Sequence, residues 1–400
     1  MEKTIKKVTG AEAVVLSLLE EGVEKVFGYP GGAIMPVYDE FYKYRDQIKH
    51  ILVRHEQGAT HAAQGEARVK NRTGVAIATS GPGATNLITG IADAQIDSTP
   101  MVCITGQVPS HLLGTDAFQE TDIIGISSPV VKWSFQVTKA EEIPWAIAKA
   151  FYIANSGRPG PVLIDITKDA QFSEFDFEYK KCEFVRSYNP IVEVSLDQVK
   201  DAAQAINSAK KPMMIVGHGV LLGDAQKEVL KIAEKAKIPV ANTWLGASAF
   251  PAQHELFKGM VGMHGSYAPN LLTNECDVLI AVGMRFDDRV TGDLSRYASQ
   301  AKVVHFELDF SEIDKNVKAD YPVLGNCKES LTALDPMIIE SDGRDEWFAR
   351  WNELEKQEDE IVVQPDVNPT EGPIRMAEVV RRLSEITEGQ AIIVTDVGQH

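Results

Sequence analysis

Glu56, in the short motif R-H-E-Q-G-A, is the residue of this 400-residue chain whose type and setting best suit chemistry. It follows a segment with a strand pattern, 48–53, and opens an Ala-rich segment, 56–70, that is typical of a helix. Two glycine-rich turns flank it in the sequence, G-Y-P-G-G-A at 28–33 and S-G-P-G-A-T-N at 80–86. Because glycine lets the backbone approach a bound molecule closely, this arrangement predicts a cofactor pocket that contains a carboxylate.

Further motifs along nearly the whole chain resemble those of one enzyme family. They are G-T-D-A-F-Q-E-T-D (114–122), S-G-R-P-G-P-V (156–162), G-M-H-G-S (262–266) and R-F-D-D-R-V-T-G (285–292). Together with the first three segments, they are similar to the catalytic subunit of the thiamine-dependent acetohydroxyacid synthases, also called acetolactate synthases. A glycine-rich turn alone is a weak signal, so the resemblance depends on the joint occurrence of the motifs.

The resemblance implies a transferase that forms a carbon–carbon bond. A thiamine ylid would add to pyruvate, carbon dioxide would leave, and the remaining two-carbon unit would attack a second 2-keto acid. The product would be 2-acetolactate from pyruvate or 2-aceto-2-hydroxybutyrate from 2-ketobutyrate. This is the first common step of valine, leucine and isoleucine biosynthesis. The implied cofactors are thiamine diphosphate, Mg²⁺ and FAD, the flavin without a net redox role.

By resemblance, Glu56 is the catalytic residue, hydrogen-bonded to the pyrimidine ring of thiamine so that the ylid can form. The alternative is structural, because an acidic residue in the first turn of a helix complements the helix dipole. The residues implied to contact thiamine diphosphate are Tyr29, Pro30, Gly31, Gly32 and Ala33 at the reacting end, Ser80, Gly81, Pro82 and Asn86 around the pyrimidine, Gln119, and Val397, Gly398, Gln399 and His400 near the diphosphate.

The substrate is implied to contact Phe118, Lys168 and Arg289. Phe118 could instead be a core residue, as lone aromatic side chains usually are. Arg289 presents a guanidinium fork that suits a keto-acid carboxylate. The residues implied to bind FAD are Arg158, Gly217, Gly219, Val261, Gly262, Met263, His264, Gly265, Val282, Gly283, Arg285, Asp287, Arg289, Val304, Glu307, Asp309 and Val323.

The flavin assignment has one alternative, and one of its motifs is incomplete. The segment R-F-D-D-R could form a surface ion-pair cluster without any ligand. Gly217 and Gly219 do not complete a G-x-G-x-x-G fingerprint, because the next glycine is Gly223.

Alternating strand and helix patterns predict an α/β chain of successive doubly wound parallel-sheet domains, the thiamine-diphosphate-binding fold. A pyrimidine-binding domain is expected over 1–168, a linker over 169–191, a central FAD-binding domain over 192–343 and a second linker over 344–371. Residues 372–400 would begin the domain that binds the diphosphate and Mg²⁺. That domain looks cut short, so the metal ligands are expected beyond His400 and none is predicted in this chain.

Local patterns predict individual elements. A capping box, Thr9-x-x-Glu12, should open the first helix. Single helices are expected over 56–70, 84–94 and 196–208, and strands over 302–307 and 391–396.

Composition narrows the classes of partner. A net charge of −17 opposes binding to nucleic acid or an anionic membrane. No run of about 18 apolar residues is present and the Lys-rich start lacks a signal peptide's apolar segment, so a cytoplasmic enzyme is expected. The resemblance implies a homodimer or homotetramer with a small regulatory subunit.

Three alternatives to this function stay open. One is a related thiamine enzyme such as pyruvate oxidase, in which the flavin does redox work. Another is a catabolic acetolactate synthase without flavin. The third is an inactive fragment or a binding module.

Overall fold

Strands and helices alternate along both halves of the chain. The computed structural model describes residues 6–341 and 343–395. Contacts between residues divide the chain into two units, Met1–Ile191 and Val192–His400.

The elements of the first unit follow one another as strand and helix, with short 3₁₀ turns at Ser110–Leu112, Ser128–Val130 and Ala140–Glu142. In chain order they are β1 (Lys6–Thr9), α1 (Gly10–Glu20), β2 (Lys25–Gly28), α2 (Met35–Lys43), β3 (Lys49–Leu52), α3 (Glu56–Lys70), β4 (Gly74–Ala78), α4 (Pro82–Asn86), α5 (Ile88–Ile96), β5 (Met101–Gln107), α6 (Ile123–Ser127), β6 (Trp133–Val137), α7 (Ile143–Asn155), β7 (Pro161–Thr167), α8 (Lys168–Phe172) and β8 (Glu174–Phe177).

The described strands of this unit form a six-stranded parallel sheet in the order β3-β2-β4-β5-β7-β6. Every residue of β4, β5 and β7 is buried, because apolar clusters cover both faces of the sheet. Strand β3, which follows β2 in the chain, lies on one side of the β2–β4 pair, and β5, which follows β4, lies on the other side. The strand order therefore reverses between β2 and β4, where open α/β sheets bind ligands at the carboxyl ends of their strands.

A separate antiparallel pair joins β1 to β8. Both α8 and β8 lie in the segment expected to be a linker after residue 168. Pairing with β1 attaches that segment to the start of the first unit.

The second unit has 3₁₀ turns at Trp244–Gly246, Phe310–Glu312 and Asp335–Met337 and a π-helical turn at Asp359–Val363. Its other elements, in chain order, are α9 (Leu196–Ser208), β9 (Pro212–Val216), α10 (His218–Leu222), α11 (Gln226–Ala236), β10 (Val240–Asn242), β11 (Phe257–Met260), α12 (Tyr267–Leu272), β12 (Val278–Val282), α13 (Asp288–Thr291), β13 (Lys302–Glu307), β14 (Tyr321–Leu324), α14 (Cys327–Leu334), α15 (Asp345–Glu358), α16 (Gln364–Val367) and α17 (Met376–Ile386).

These strands form a second six-stranded parallel sheet in the order β11-β10-β9-β12-β13-β14. Its order reverses between β9 and β12, again at the carboxyl ends of two buried strands. On one face α15 contributes the buried Trp347 and Trp351 to the core, and Trp347 Nε1 donates to Pro212 O at 2.9 Å. Two parallel sheets with helices on both faces confirm the predicted fold class.

Predicted elements with the observed bounds include α3, α9 and β13. Of the two hydrogen bonds in the predicted capping box, only one is present. Thr9 accepts from Glu12 N at 3.2 Å, but the Glu12 carboxylate accepts from Tyr44 Oη at 2.6 Å and from Lys6 instead of bonding back to Thr9. A carboxylate gains more from a cation and a hydroxyl than from one backbone amide.

Two other predictions are wrong. The single helix expected over 84–94 is two helices, α4 and α5, because Leu87 N donates to Ala84 O, three residues back, and tightens the turn between them. The strand expected over 391–396 is absent from 391–395, and residue 396 lies outside the described residues. A strand needs a neighbour for its ladder of hydrogen bonds, and these residues pair with none of the described strands.

Candidate functional site

The three motifs that suggested a cofactor pocket meet at one edge of the first sheet. The turn 28–33 follows β2, the turn 80–86 follows β4, and Glu56 follows β3. These are three adjacent strands, and all of them are parallel. Their carboxyl ends therefore bring the motifs together at the point where the strand order reverses.

Glu56 is the first residue of α3, and its side chain is buried, with 9% of the residue exposed. Asn86 Nδ2 donates to Glu56 Oε2 at 2.9 Å. The other oxygen, Oε1, lies close to the second glycine turn: a Cβ added to Gly83 would be 3.3 Å from it. The helix is capped by another residue, His55, whose Nδ1 accepts from Gln57 N at 3.1 Å. Glu56 still lies in the first turn, but its carboxylate is directed to Asn86 and Gly83.

The two glycine turns are held close to the sheet. A Cβ on Gly31 would lie 2.5 Å from the Thr79 side chain, so no larger residue fits there. Thr79 Oγ1 also accepts from Ala33 N at 3.1 Å. In the second turn Gly81 has φ of +57°, a conformation that favours glycine. Gly32 is different, because nothing lies within 4 Å of where its Cβ would be.

Tyr38, on α2, is a site residue that the sequence analysis missed. Its hydroxyl is buried and has no hydrogen-bond partner among the described residues. Burial and, second, the charge of Glu56 raise the pKa of Tyr38. The ring contacts His50 edge-on at 4.8 Å. No motif contains Tyr38, so only its position on the inner side of an amphipathic helix could have indicated it.

The segment 114–122 lies against the second glycine turn. A Cβ on Gly81 would lie 2.8 Å from Gln119 O, and Gln119 itself has φ of +59°. Phe118 is 87% exposed, so the alternative of a core residue is wrong. The Glu120 carboxylate closes the segment on itself, accepting from Gly114 N and, at 3.1 Å, from Ala117 N. These backbone bonds, led by that of Gly114, hold the pKa of Glu120 below its ordinary value.

The remaining predicted residues of the first unit are less enclosed. Tyr29 is 43% exposed, and Pro30 is exposed beside it. Ser80 is buried, and Pro82 opens α4. Lys168 opens α8, and Arg158 Nε donates to Ser98 Oγ at 2.8 Å. The predicted diphosphate contacts lie outside the described residues; they are Val397, Gly398, Gln399 and His400.

In the second unit, several of the predicted flavin residues lie at the carboxyl ends of β9 and β12. Gly217 N donates to Val282 O at 2.9 Å, and Gly219 N donates to Gly283 O at 3.0 Å. A Cβ on Gly217 would lie 2.3 Å from Gly283 O. Close packing of two backbones is therefore a sufficient reason for these glycines, with or without a ligand.

The loop after β12 contacts the loop after β11. Met263 N donates to Arg289 O at 2.7 Å, and a Cβ on Gly262, which has φ of +104°, would lie 2.6 Å from the same oxygen. Asp287 caps α13 by accepting from the Arg289 and Val290 amides. The ion-pair alternative accounts for one pair only, Arg289 with Asp288 at 3.8 Å; Arg285 forms none with the described residues.

Other predicted flavin contacts differ in accessibility. Glu307 ends β13, and its Oε1 accepts from Leu308 N at 2.8 Å and from Asp309 N at 3.1 Å. Val261 is buried, Met263 is 60% exposed, and the loop between β11 and α12 also contains His264 and Gly265. Three side chains belong to the core, so a ligand could reach only their backbone: Val282, Val304 and Val323.

Residues 6–341 and 343–395 contain neither a metal-binding cluster nor a membrane-spanning helix. No group of three or more His, Cys, Asp or Glu side chains is arranged to hold a metal ion. No helix in this part of the chain has the length and apolar character needed to cross a membrane.

Comparison with known families agrees with the position of the site. Residues 8–126 match the N-terminal TPP binding domain of thiamine pyrophosphate enzymes, and residues 199–334 match the central domain of these enzymes. The first match contains Glu56 and both glycine turns. The fold is thus that of the thiamine pyrophosphate enzymes.

Individual relatives define the family more closely. The chain is 45% identical to the acetolactate synthase large subunit of Haemophilus influenzae over 99% of its own length. It is 45% identical to the probable acetolactate synthase large subunit of Methanocaldococcus jannaschii over 98%, and 49% identical to the acetolactate synthase large subunit of Corynebacterium glutamicum over 86%. The chain belongs to the acetolactate synthase large-subunit family. It spans 69%, 67% and 55% of the length of these three relatives.

Proposed function

We propose that this chain is the large, catalytic subunit of an acetolactate synthase, which joins two 2-keto acids with loss of carbon dioxide. The observation that supports this most directly is the buried Glu56 carboxylate, bonded to Asn86 at 2.9 Å between two glycine turns. Pyruvate is the proposed donor, and pyruvate or 2-ketobutyrate the acceptor. The family's relatives are named for the first of these products, acetolactate.

The residues around Glu56 fit thiamine diphosphate. Glu56 Oε2 is occupied by Asn86, whereas Oε1 accepts no hydrogen bond from the described residues. Oε1 is therefore free to accept from a bound molecule, and a protonated ring nitrogen of the cofactor is a suitable donor. Thiamine diphosphate supplies the carbon nucleophile for decarboxylation and for the new carbon–carbon bond.

Each residue then has a defined task. Glu56 Oε1 holds the proton that is shared with the cofactor ring, and Asn86 fixes the plane of the carboxylate. Burial keeps water from competing for that proton. Gly31 and Gly32 leave the turn after β2 without side chains where the reacting end would lie. Phe118, 87% exposed, offers an apolar surface to the methyl group of pyruvate.

FAD and Mg²⁺ are also part of the proposal. In the second unit, Arg285 follows β12 and forms no ion pair with the described residues, so its guanidinium could bind the diphosphate of a dinucleotide. Glu307, at the end of the next strand, suits ribose hydroxyls. We assign the flavin a structural role. Mg²⁺ would bind with the diphosphate of thiamine, and no site for it is assigned to the described residues.

The proposed assembly follows from the family. A large subunit implies a separate small subunit, to which we assign regulation. We propose a homodimer or homotetramer of the chain itself. Native mass spectrometry with and without the small subunit tests both statements.

The decisive experiment compares two buried glutamates of the first unit. Glu56→Gln should keep the fold and lower the rate of acetolactate formation from pyruvate by about 10²- to 10⁴-fold, the usual contribution of a positioned proton-transfer group. Glu40→Gln is the control, because Glu40 is also buried, at 7% exposed, but its carboxylate accepts a hydrogen bond from Lys43 at 2.6 Å and none from the two glycine turns. It should keep near-normal activity.

Three results would count against the proposal. Full activity of Glu56→Gln would remove that residue from the mechanism. Acetyl phosphate and peroxide formed with consumption of oxygen would indicate an oxidase. Active protein purified without flavin would favour a catabolic, flavin-free enzyme.

A further inference from the structure

A carboxylate lies buried in the middle of the first sheet. Asp165 is part of β7, in the apolar sequence P-V-L-I-D-I-T, and none of its surface is exposed. Three side chains donate to it: Thr105 Oγ1 at 2.6 Å, Gln107 Nε2 at 3.1 Å and Gln136 Nε2 at 3.0 Å. Thr105 and Gln136 are its register partners on the two neighbouring strands, so the donors converge from both sides.

This cluster contains no cation. Burial, offset in part by the three donors, raises the pKa of Asp165 to about 6. A buried carboxylate without a cation is costly, and a strand of this kind would be more stable with an apolar residue. Packing alone therefore gives no reason for an aspartate at this position.

One of the three donors also reaches beyond the sheet. Gln107 Nε2 donates to Thr121 O at 2.9 Å as well as to Asp165, and Gln107 Oε1 accepts from Val108 N at 2.9 Å. Both ends of the amide thus have partners, and only one orientation satisfies them. Gln136 bonds to the same oxygen of Asp165 but forms no hydrogen bond with the described residues of the segment before α6. Asp165 accepts from the same nitrogen and so supports the orientation in which Gln107 donates to Thr121.

Thr121 is the base of the segment 114–122. The Glu120 carboxylate links Gly114 and Ala117 within this segment, so its two ends are held together. Gln119 lies two residues from the anchored carbonyl, in contact with Gly81. A continuous series of contacts therefore runs from the buried carboxylate to the turn that contains the partner of Glu56.

We propose that Asp165 and Gln107 are positioning residues, which hold Phe118 and Gln119 beside the Glu56 site through the bond from Gln107 to Thr121 O. The importance of this placement for catalysis rests on the proposed function, whereas the anchoring of the segment does not. Neither residue touches substrate or cofactor in this proposal. Their contribution is the position of the segment 114–122.

The test compares Gln107→Met with Gln136→Met in the assembled enzyme with thiamine diphosphate, Mg²⁺ and FAD. Methionine keeps the length of glutamine and removes the amide. Both variants take one donor from Asp165 Oδ2, but only Gln107→Met breaks the bond to Thr121. Hydrogen–deuterium exchange of peptides covering 114–122 reports the anchor, and kcat and KM for pyruvate report its consequence. Thermal unfolding of both variants shows how far each is destabilised.

Gln107→Met should speed exchange in 114–122 by roughly fivefold, the effect of losing one hydrogen bond. It should lower kcat/KM for pyruvate by about 10- to 100-fold, because a displacement of about 1 Å at a site has effects of this size. Gln136→Met should leave both quantities within about twofold of wild type. Exchange that is unchanged in Gln107→Met would overturn the proposal, as would an equal loss of kcat/KM in both variants.

The two proposals fail separately. If the wild-type enzyme forms no acetolactate, the proposed function is wrong, and exchange alone then decides whether Gln107 anchors the segment. If acetolactate forms and Gln107→Met behaves like Gln136→Met, the function stands and the positioning role is refuted.

Discussion

Gly32 permits a sharp test of the cofactor site, because the fold itself does not require glycine there. No atom lies within 4 Å of the position that its Cβ would take, in contrast to the neighbouring Gly31, where Thr79 is 2.5 Å away. Its φ also lies outside the left-handed range. Gly32→Ala should therefore leave the free energy of unfolding unchanged or raise it by about 0.4–1 kcal/mol, since alanine restricts the unfolded chain.

The same substitution should weaken the binding of thiamine diphosphate. If the reacting end of the cofactor lies against this turn, the added methyl group overlaps with it, and overpacking of this kind costs about 1–3 kcal/mol. That range corresponds to roughly a 5- to 150-fold rise in Kd. Isothermal titration of the apoprotein with thiamine diphosphate and Mg²⁺ measures the affinity, and urea unfolding followed by circular dichroism measures the stability.

A matched control exists on the helix that begins with Glu56. Gly65 is exposed on α3, and its Cβ position is equally empty. Gly65→Ala should stabilise the helix by up to about 1 kcal/mol and leave the affinity for thiamine diphosphate unchanged. An unchanged Kd in Gly32→Ala would refute contact between this turn and the cofactor. A clear loss of stability in Gly32→Ala would refute the steric argument.

Two further predictions concern stability. Gly81→Ala should lower the free energy of unfolding by about 2–4 kcal/mol, because φ of +57° strains an alanine and the new Cβ would lie 2.8 Å from Gln119 O. Urea unfolding measures this change, and a loss below about 0.5 kcal/mol would contradict the prediction. Burial lowers the pKa of Lys132 to about 8, although its ammonium donates to Ser156 O at 2.7 Å and to Tyr188 Oη at 3.1 Å. Between about pH 8 and the ordinary lysine value of 10.5 the unfolded chain binds more protons, so stability should gain a rising contribution across that window. Lys132→Met should lack this rise, and identical pH profiles of wild type and variant would exclude the assignment.

Local signals were sufficient for elements that are complete within themselves. Helices α3 and α9 were predicted with their observed bounds, because an apolar face of helical period is contained in the segment. Strand β13 was predicted for a similar reason, as a short apolar run that ends at Glu307. The motifs also indicated Glu56, the two glycine turns and the segment 114–122 as parts of one site.

Some short strands depend on partners that are distant in the sequence, and the predictions missed β1, β8 and β14 among them. Strand β1 pairs with β8, more than 160 residues away, and β14 forms only beside β13. The reverse error occurred at 391–396, where an apolar run with a strand pattern has no partner among the described residues. Whether a short apolar segment becomes a strand is decided by what lies beside it.

The sequence by itself determined the class of the fold, the family and the identity of the carboxylate at the site. These follow from periodicity and from motifs, both of which are local in the chain. Only the tertiary structure showed that Asn86 is the partner of Glu56, that the charge of Glu56 raises the pKa of Tyr38, and that Asp165 is connected through Gln107 to the segment with Gln119. These contacts join strands and turns 14 to 58 residues apart, and the register of a parallel sheet, which brings such residues together, leaves no local pattern in the sequence.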